Sequence, residues 1–286
     1  MPTLTALAHA KLNLTLDVLG RRSDGYHDLR MVMTSVALAD VITLETGTGD
    51  GVRASANLGF LPTGEKNLAA SALLRFQEAT GRDLGGAHIS LEKHIPVCAG
   101  MGGGSSDAAA VLRALNDCTG AGLSLPELAR VGEAVGSDVP YCVLGGTVLA
   151  EGRGEVLTPL PALPRCHVVI CKPPFPISTP ELFRAVDGVR LKCRPDTDGV
   201  LSALAAGDLG GVARRMYNVF EDVLPPRQRA EVRGIRSVLV QHGALGANMS
   251  GTGPTVFGLF DDPGRARSAW EELRQPYRDA FLTETV

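Results

Sequence analysis

The chain carries a run of small residues, Gly100-Met101-Gly102-Gly103-Gly104-Ser105-Ser106-Asp107-Ala108-Ala109-Ala110. Four glycines in five positions expose backbone N–H groups and let a ligand approach the main chain closely. The two serines stand where they can cap the helix of good formers that follows. A loop feeding a helix N-terminus in this way binds an anion through orphan N–H groups and the helix dipole, and phosphate is the natural guest. A flexible turn with an N-cap is the plainer reading. Two named phosphate loops fail on spacing. A Walker A loop needs a Lys after its glycines, and none follows; a dinucleotide fingerprint would put its third glycine at Ser105.

Three further constellations surround this loop in the sequence. Lys11 opens the segment Lys11-Leu12-Asn13-Leu14, where a lone Lys on an amphipathic strand is ordinarily solvated. Ser23-Asp24-Gly25-Tyr26-His27 sets a stacking ring beside a hydrogen-bonding ring in a loop. Gly136-Ser137-Asp138-Val139-Pro140 places a carboxylate between a helix and a strand, where capping alone would explain it. A second small-residue loop, Asn248-Met249-Ser250-Gly251-Thr252-Gly253-Pro254, enters a strand in the other half of the chain. Two such loops, one from each half, suggest a ligand held between domains.

The elements that must position these residues follow from periodicity. Lys11–Val18 alternates polar and apolar, as do Val41–Thr46 and His88–Lys93, which predicts three half-buried strands. Asn67 can cap a helix that stops at Gly81, and a second helix is expected from Ser106 to Cys118. Ser124 and Glu127 make a capping box for a third, closing at Gly136. Tyr141–Ala150 is expected to return as a strand. Prolines gather from Pro159 to Pro180, which puts a domain boundary near Leu157–Pro164, with domains 1–157 and 158–286. The second half reads as strand His167–Lys172, helices near Asp198–Ala206, Leu209–Phe220 and Pro226–His242, strand Thr255–Phe260, and a final helix containing Trp270. The class is α+β in two domains.

Composition narrows the function. Lys and Arg total 28 against 31 Asp and Glu, a net charge of −3 over 286 residues, which supplies no basic face for nucleic acid. No apolar run approaches the roughly 20 residues of a membrane span. The N-terminus lacks a secretory pattern, and the six cysteines form no CxxC pair, so a cytoplasmic protein with reduced thiols is expected. Cys166-His167 with Cys171 reads as a buried strand rather than a zinc site. The sequence leaves monomer and homodimer open.

These segments, in this order, resemble the small-molecule kinases of the galactose, homoserine, mevalonate and phosphomevalonate (GHMP) superfamily, from Ala10 to about Phe260. Pro96-Val97-Cys98-Ala99-Gly100-Met101-Gly102-Gly103-Gly104-Ser105-Ser106 matches the family's phosphate loop, and Met249-Ser250-Gly251-Thr252-Gly253 its third motif. Met101 stands where the family usually has Leu, a volume-conserving change expected to matter little. The resemblance implies a ribosomal-protein-like N-terminal domain, a C-terminal α/β sandwich, and an active site in the cleft between them. It also implies transfer of the γ-phosphoryl group of ATP, with Mg2+, to the tertiary hydroxyl of a cytidine-diphosphate-linked methylerythritol.

By that resemblance, Asp138 is the base for the hydroxyl proton, and Lys11 favours ionised Asp138 and counters developing charge. The loop from Pro96 to Ser106 holds ATP. Asn13 orients the acceptor, Tyr26 and His27 read the cytidine, and Phe183 supplies the opposite face of the base. Asn67 and Lys93 are candidates for the adenosine side, and Thr179 and Thr252 for the acceptor pocket. Asp107 favourably faces the helix dipole and carries no catalytic role. Mevalonate or homoserine kinase chemistry is the runner-up, and Tyr26-His27 argues against it because those acceptors carry no base. An RNA-binding module or a non-catalytic nucleotide sensor would fit neither the charge nor the presence of both Lys11 and Asp138.

Overall fold

The computed structural model describes residues 3–49 and 51–286. The elements of the first half are β1 (Thr3–Arg21), β2 (His27–Thr46), β3 (Val52–Ala56), α1 (Leu68–Thr80), β4 (Ala87–Glu92), α2 (Gly103–Thr119), α3 (Leu125–Glu133), α4 (Val139–Leu144), β5 (Val148–Gly152) and β6 (Val156–Pro159). There follow β7 (His167–Lys172), α5 (Thr179–Asp187), α6 (Thr197–Ala205), α7 (Leu209–Arg214), β8 (Tyr217–Asn218) and α8 (Phe220–Val223). The chain ends with α9 (Pro226–Gln241), β9 (Gly246–Met249), β10 (Val256–Phe260), α10 (Pro263–Leu273) and β11 (Asp279–Glu284). One sheet has the order β3-β4-β2-β1-β8, with β5 on β2 and β6 on β5; the other runs β11-β7-β10-β9.

By its contacts the chain forms two compact units, and neither is contiguous. The first takes the chain up to Ala10, Leu38–Val97 and Gly102–Gly145; the second takes Lys11–Ala37, Cys98–Met101 and Gly146–Val286. The long strands β1 and β2 therefore each supply residues to both.

In the first unit, Ile42 pairs Leu91 and Leu44 pairs Ile89 across the antiparallel β2–β4 ladder, so the alternation seen in the sequence turns one apolar face inward. Helix α1 is capped as its sequence predicts. Asn67 Oδ1 accepts from Ala69 N at 3.0 Å, and Gly81 ends the helix at φ 67°. Phe76 and Leu73 of α1 are fully buried, as are Leu112 and Leu115 of α2 against which α1 packs, each such side chain contributing about 2–3 kcal/mol by burial.

Three local expectations change. Helix α2 begins at Gly103, not Ser106, and its cap is Gly102 in the left-handed region with no side-chain bond, so both serines lie inside the first turn. Helix α3 has its capping box but ends at Glu133, before Gly136. Tyr141 is helical rather than extended: Pro140 pre-sets φ near the start of α4, and Gly145 and Gly146, both at positive φ, end it before β5 begins. A short apolar run does not by itself distinguish strand from buried helix.

In the second unit, β7 spans His167–Lys172 as read from the sequence, between β10 and β11. Val232, Ile235 and Leu239 of α9 and Ala266, Ala269 and Leu273 of α10 are buried. The helix expected over Leu209–Phe220 is broken, because Tyr217 and Asn218 leave it to pair in parallel with Thr15 and Leu16. All six cysteines are free thiols, and burial pushes Cys166 and Cys171 up to about 12. No described helix is long and apolar enough to cross a membrane.

Candidate active site

The phosphate-loop segment takes the backbone its glycines permit. Cys98, Gly100 and Gly102, every second residue, have φ of 53°, 73° and 67°. Positive φ at alternate residues is one half of the αR–αL alternation from which anion-binding concavities are built. The amides of Gly103, Gly104 and Ser105 follow as the first turn of α2, and the first intrahelical bond is Ser106 N to Gly102 O at 2.8 Å. Those three N–H groups have no partner within the helix. A Cβ on Gly103 would sit 3.1 Å from Ile95, and one on Gly104 3.2 Å from Leu68, so the missing side chains also permit close packing beneath.

In the second unit the two small-residue loops are in contact. Ser250 Oγ donates to Gly100 O at 2.9 Å and accepts from Asn13 N at 3.2 Å. Lys11 N donates to Met101 O at 3.0 Å. Lys11 is 4% exposed, contrary to a solvated strand lysine, and its Nζ donates to Asn13 Oδ1 at 2.7 Å. A buried ammonium is costly unless it is partnered, and Asn13 is one partner. Around these, Asn218 Nδ2 donates to Met249 O and Gly251 O, both at 2.8 Å, and Met249 N donates to Glu221 Oε1 at 2.9 Å. Asn218 and Glu221 were not singled out from sequence; neither belongs to a pattern, and their part emerges only when β8 reaches β1.

The same unit gathers His27, Phe183 and Asp187. The imidazole stacks on Phe183 with centroids 4.6 Å apart and 25° between planes. His27 Nε2 lies 2.8 Å from Asp187 Oδ1. Phe183 in turn sets its edge on buried Phe220 at 5.0 Å. Tyr26 stands apart from this stack, 59% exposed, with the Arg153 guanidinium 5.2 Å over its ring. Thr179 and Thr252 share a hydrogen bond at 2.9 Å.

In the first unit, Asp138 is half-buried at the N-cap position of α4, but its carboxylate makes no bond to that helix's amides. A Cβ on Gly136, two residues before, would lie 4.0 Å from Ser105 Oγ, so the loop helix and the Asp138 segment are neighbours. Ser106, by contrast, is 2% exposed and donates to His9 O at 2.5 Å. Asn67 accepts from Ala69 N of α1 and donates to Pro62 O of the preceding loop at 2.9 Å. Lys93 Nζ is buried between Asp40 and Asp107. Asp107 thus faces an ammonium rather than the helix amides. Burial lifts its carboxyl to about 7, with Asp40 adding to the rise and Lys93 opposing it, and its Oδ1 lacks a hydrogen-bond partner. Sequence offered no signal for Asp40, which also accepts from His94 N and Ile95 N at 2.6 and 2.8 Å.

Comparison with known proteins agrees with this geometry. Residues 67–146 match the family model described as GHMP kinases N terminal domain, and residues 200–279 that described as GHMP kinases C terminal. The chain is 43% identical, over 100% of its length and 99% of the relative's, to the 4-diphosphocytidyl-2-C-methyl-D-erythritol kinase of Lachnospira eligens. It is 44% identical, over 97% of its length and 95% of the relative's, to the protein of the same name from Alkaliphilus metalliredigens. A solved 4-(cytidine 5'-diphospho)-2C-methyl-D-erythritol kinase superposes with a TM-score of 0.82 at 37% identity, covering 98% of both chains. Homoserine kinase from Cytophaga hutchinsonii, at 20% identity and a TM-score of 0.75 over 100% of this chain and 95% of that one, shares the fold. With both family models matched and a relative 43% identical over its full length, this chain belongs to the GHMP kinases.

Proposed function

We propose that the protein transfers the γ-phosphoryl group of ATP to the tertiary 2-hydroxyl of 4-diphosphocytidyl-2-C-methyl-D-erythritol, giving the 2-phosphate and ADP in the non-mevalonate route to isoprenoids. The observation that carries the chemistry is the placement of Ser105 beside the Gly136–Asp138 segment. It supports a reading in which the glycine loop, holding phosphate, works next to the Asp138 carboxylate.

In this reading the left-handed loop and the first amides of α2 hold the triphosphate. Asp138 accepts the hydroxyl proton as the oxygen attacks, because a tertiary alcohol is a poor acid. The Lys11 ammonium, oriented by Asn13, offsets charge as it develops on the transferring group. Mg2+, a hard cation that takes oxygen donors, would be held by the phosphates together with oxygens of this chain. Among the described residues no cluster of three acidic, His or Cys side chains awaits an ion, and a hard cation needs only oxygen donors. Ser105 Oγ would be one protein donor to it, while Ser106 Oγ is turned to His9 O. When bound, the ion supplies charge neutralisation across the phosphates. Tyr26 and His27 read the cytosine, Thr179 and Thr252 line the acceptor, and the protein works in the cytoplasm as a monomer or homodimer.

The test is an ADP-release assay with Mg-ATP, offering the cytidyl substrate, mevalonate and homoserine in turn. Turnover with the cytidyl compound alone is expected. Activity only on another alcohol would keep the Lys11 and Asp138 chemistry and overturn the acceptor.

A further inference from the structure

Helix α5 presents two side chains to one imidazole. Phe183 and Asp187 are four residues apart, hence on one face of the helix, and both meet His27: Phe183 covers the ring's face and Asp187 takes its edge at Nε2. The His27 side chain is 9% exposed and Asp187's 31%, so the pair is shielded on the imidazole side. Asp187 is also the last residue of α5, where a carboxylate opposes the helix dipole and where helix formation gains nothing from it. Its placement is accounted for by the contact with His27.

A carboxylate only accepts hydrogen bonds, so the ring nitrogen facing it is a donor. In the neutral imidazole that fixes Nε2 as N–H and leaves Nδ1 as the acceptor. We propose that Asp187 is a positioning residue that locks His27 in the Nε2–H tautomer, and that the Nδ1 lone pair so created selects cytosine over uracil in the acceptor substrate. The two bases differ at N3, an acceptor in cytosine and an N–H donor in uracil, and at position 4, which is the group His27 Nδ1 faces in this proposal. Cytosine carries an amino group that donates; uracil carries a carbonyl that can only accept. An Nδ1 lone pair bonds the first and repels the second. A Phe183 ring stacked on the imidazole holds that lone pair in one direction. This inference rests on the reading above that His27 faces the cytidine end.

The test compares the cytidine- and uridine-diphosphate forms of methylerythritol as substrates for wild type, D187K, D187E and H27A. Lys donates only, so D187K forces Nε2 to accept and moves the proton to Nδ1; a cation at a helix C-terminus keeps the helix stable. The cytosine-to-uracil ratio of kcat/KM is expected to fall by on the order of tenfold or more in D187K, as for a mispaired buried hydrogen bond. D187E should keep most of the ratio, and the KM for ATP should be unchanged in both. Nitrogen NMR of the imidazoles, with His27 assigned by its loss in H27A, should show the proton on Nε2 in wild type and on Nδ1 in D187K.

An Nδ1-protonated His27 in wild type overturns the proposal without any assay. So does an unchanged ratio in D187K while H27A loses selectivity, and so does a ratio that H27A leaves intact. A wild type inert toward the cytidyl substrate sinks the proposed function instead, and the nitrogen spectra then still decide the tautomer.

Discussion

Ser250 and Gly100 close on each other from both directions: Ser250 Oγ donates to the Gly100 carbonyl at 2.9 Å, and a Cβ on residue 100 would lie 2.2 Å from the Ser250 carbonyl oxygen. Gly100 also has φ 73°. Substitution there meets both a backbone clash and a left-handed penalty. Gly100→Ala should lose about 2–4 kcal/mol of stability and most activity. Gly64→Ala, with nothing within 4 Å of its Cβ position, is the matched control. Equal urea midpoints for the two variants would refute the close packing of these loops.

Asp107 links stability to pH. Burial raises its carboxyl to about 7, well above the value near 4 of an unfolded Asp. Between those values the folded protein holds a proton that the unfolded chain has released, so stability falls as pH rises from about 4 to about 7 and then levels. Asp107→Asn removes that proton and should flatten this part of the profile, gaining on wild type above pH 7. Melting temperatures at pH 5 and pH 8 check it; parallel profiles for the two proteins would show that Asp107 is not the group responsible.

Asp138→Asn should fold normally and bind ATP, while turnover drops at least ~100-fold, the scale expected for lost proton transfer. Near-normal turnover would remove Asp138 from the role of base. Lys11→Ala should act on kcat more than KM, because its charge is needed most as the transition state develops. A change confined to KM would make it a uniform binding contact.

Asn67 offers a contrast between scaffold and site. Its amide oxygen caps α1 while its amide nitrogen donates to Pro62 O in the preceding loop, so Asn67→Ala should cost about 1 kcal/mol of stability, the usual loss for a removed N-cap. The KM for ATP should stay within twofold (roughly 0.4 kcal/mol, below the net value of one hydrogen bond). A large rise in that KM at unchanged stability would return Asn67 to the nucleotide.

What sequence revealed tracks how local each feature is. The Asn67 cap, the Ser124–Glu127 box and β7 depend on neighbours a few residues away and were legible. The glycine run was legible as the lead-in to a helix, though its cap was not, because Gly102 caps through backbone conformation rather than a side chain. The Lys93 ion pairs with Asp40 and Asp107 span the β2, β4 and α2 regions, and no pattern in the chain announces them. His27 was singled out, but its partner Asp187 lies 160 residues away in a segment that sequence left without a helix. Lys11 looked like a surface residue until β1 proved longer and more buried than its alternation suggested.

The pairing of Thr15 and Leu16 with Tyr217 and Asn218 has a cost during synthesis. The edge of β1 that this short strand covers leaves the ribosome early, while its partner is still roughly 200 residues from being made. At about 5–20 residues per second, that edge waits roughly 10–40 s for its match. During this interval the nascent chain exposes an unpaired strand edge to other nascent chains and to chaperones. Translation speed downstream of β1 thus becomes a determinant of yield, and pauses placed before residue 217 should increase aggregation more than pauses placed after it.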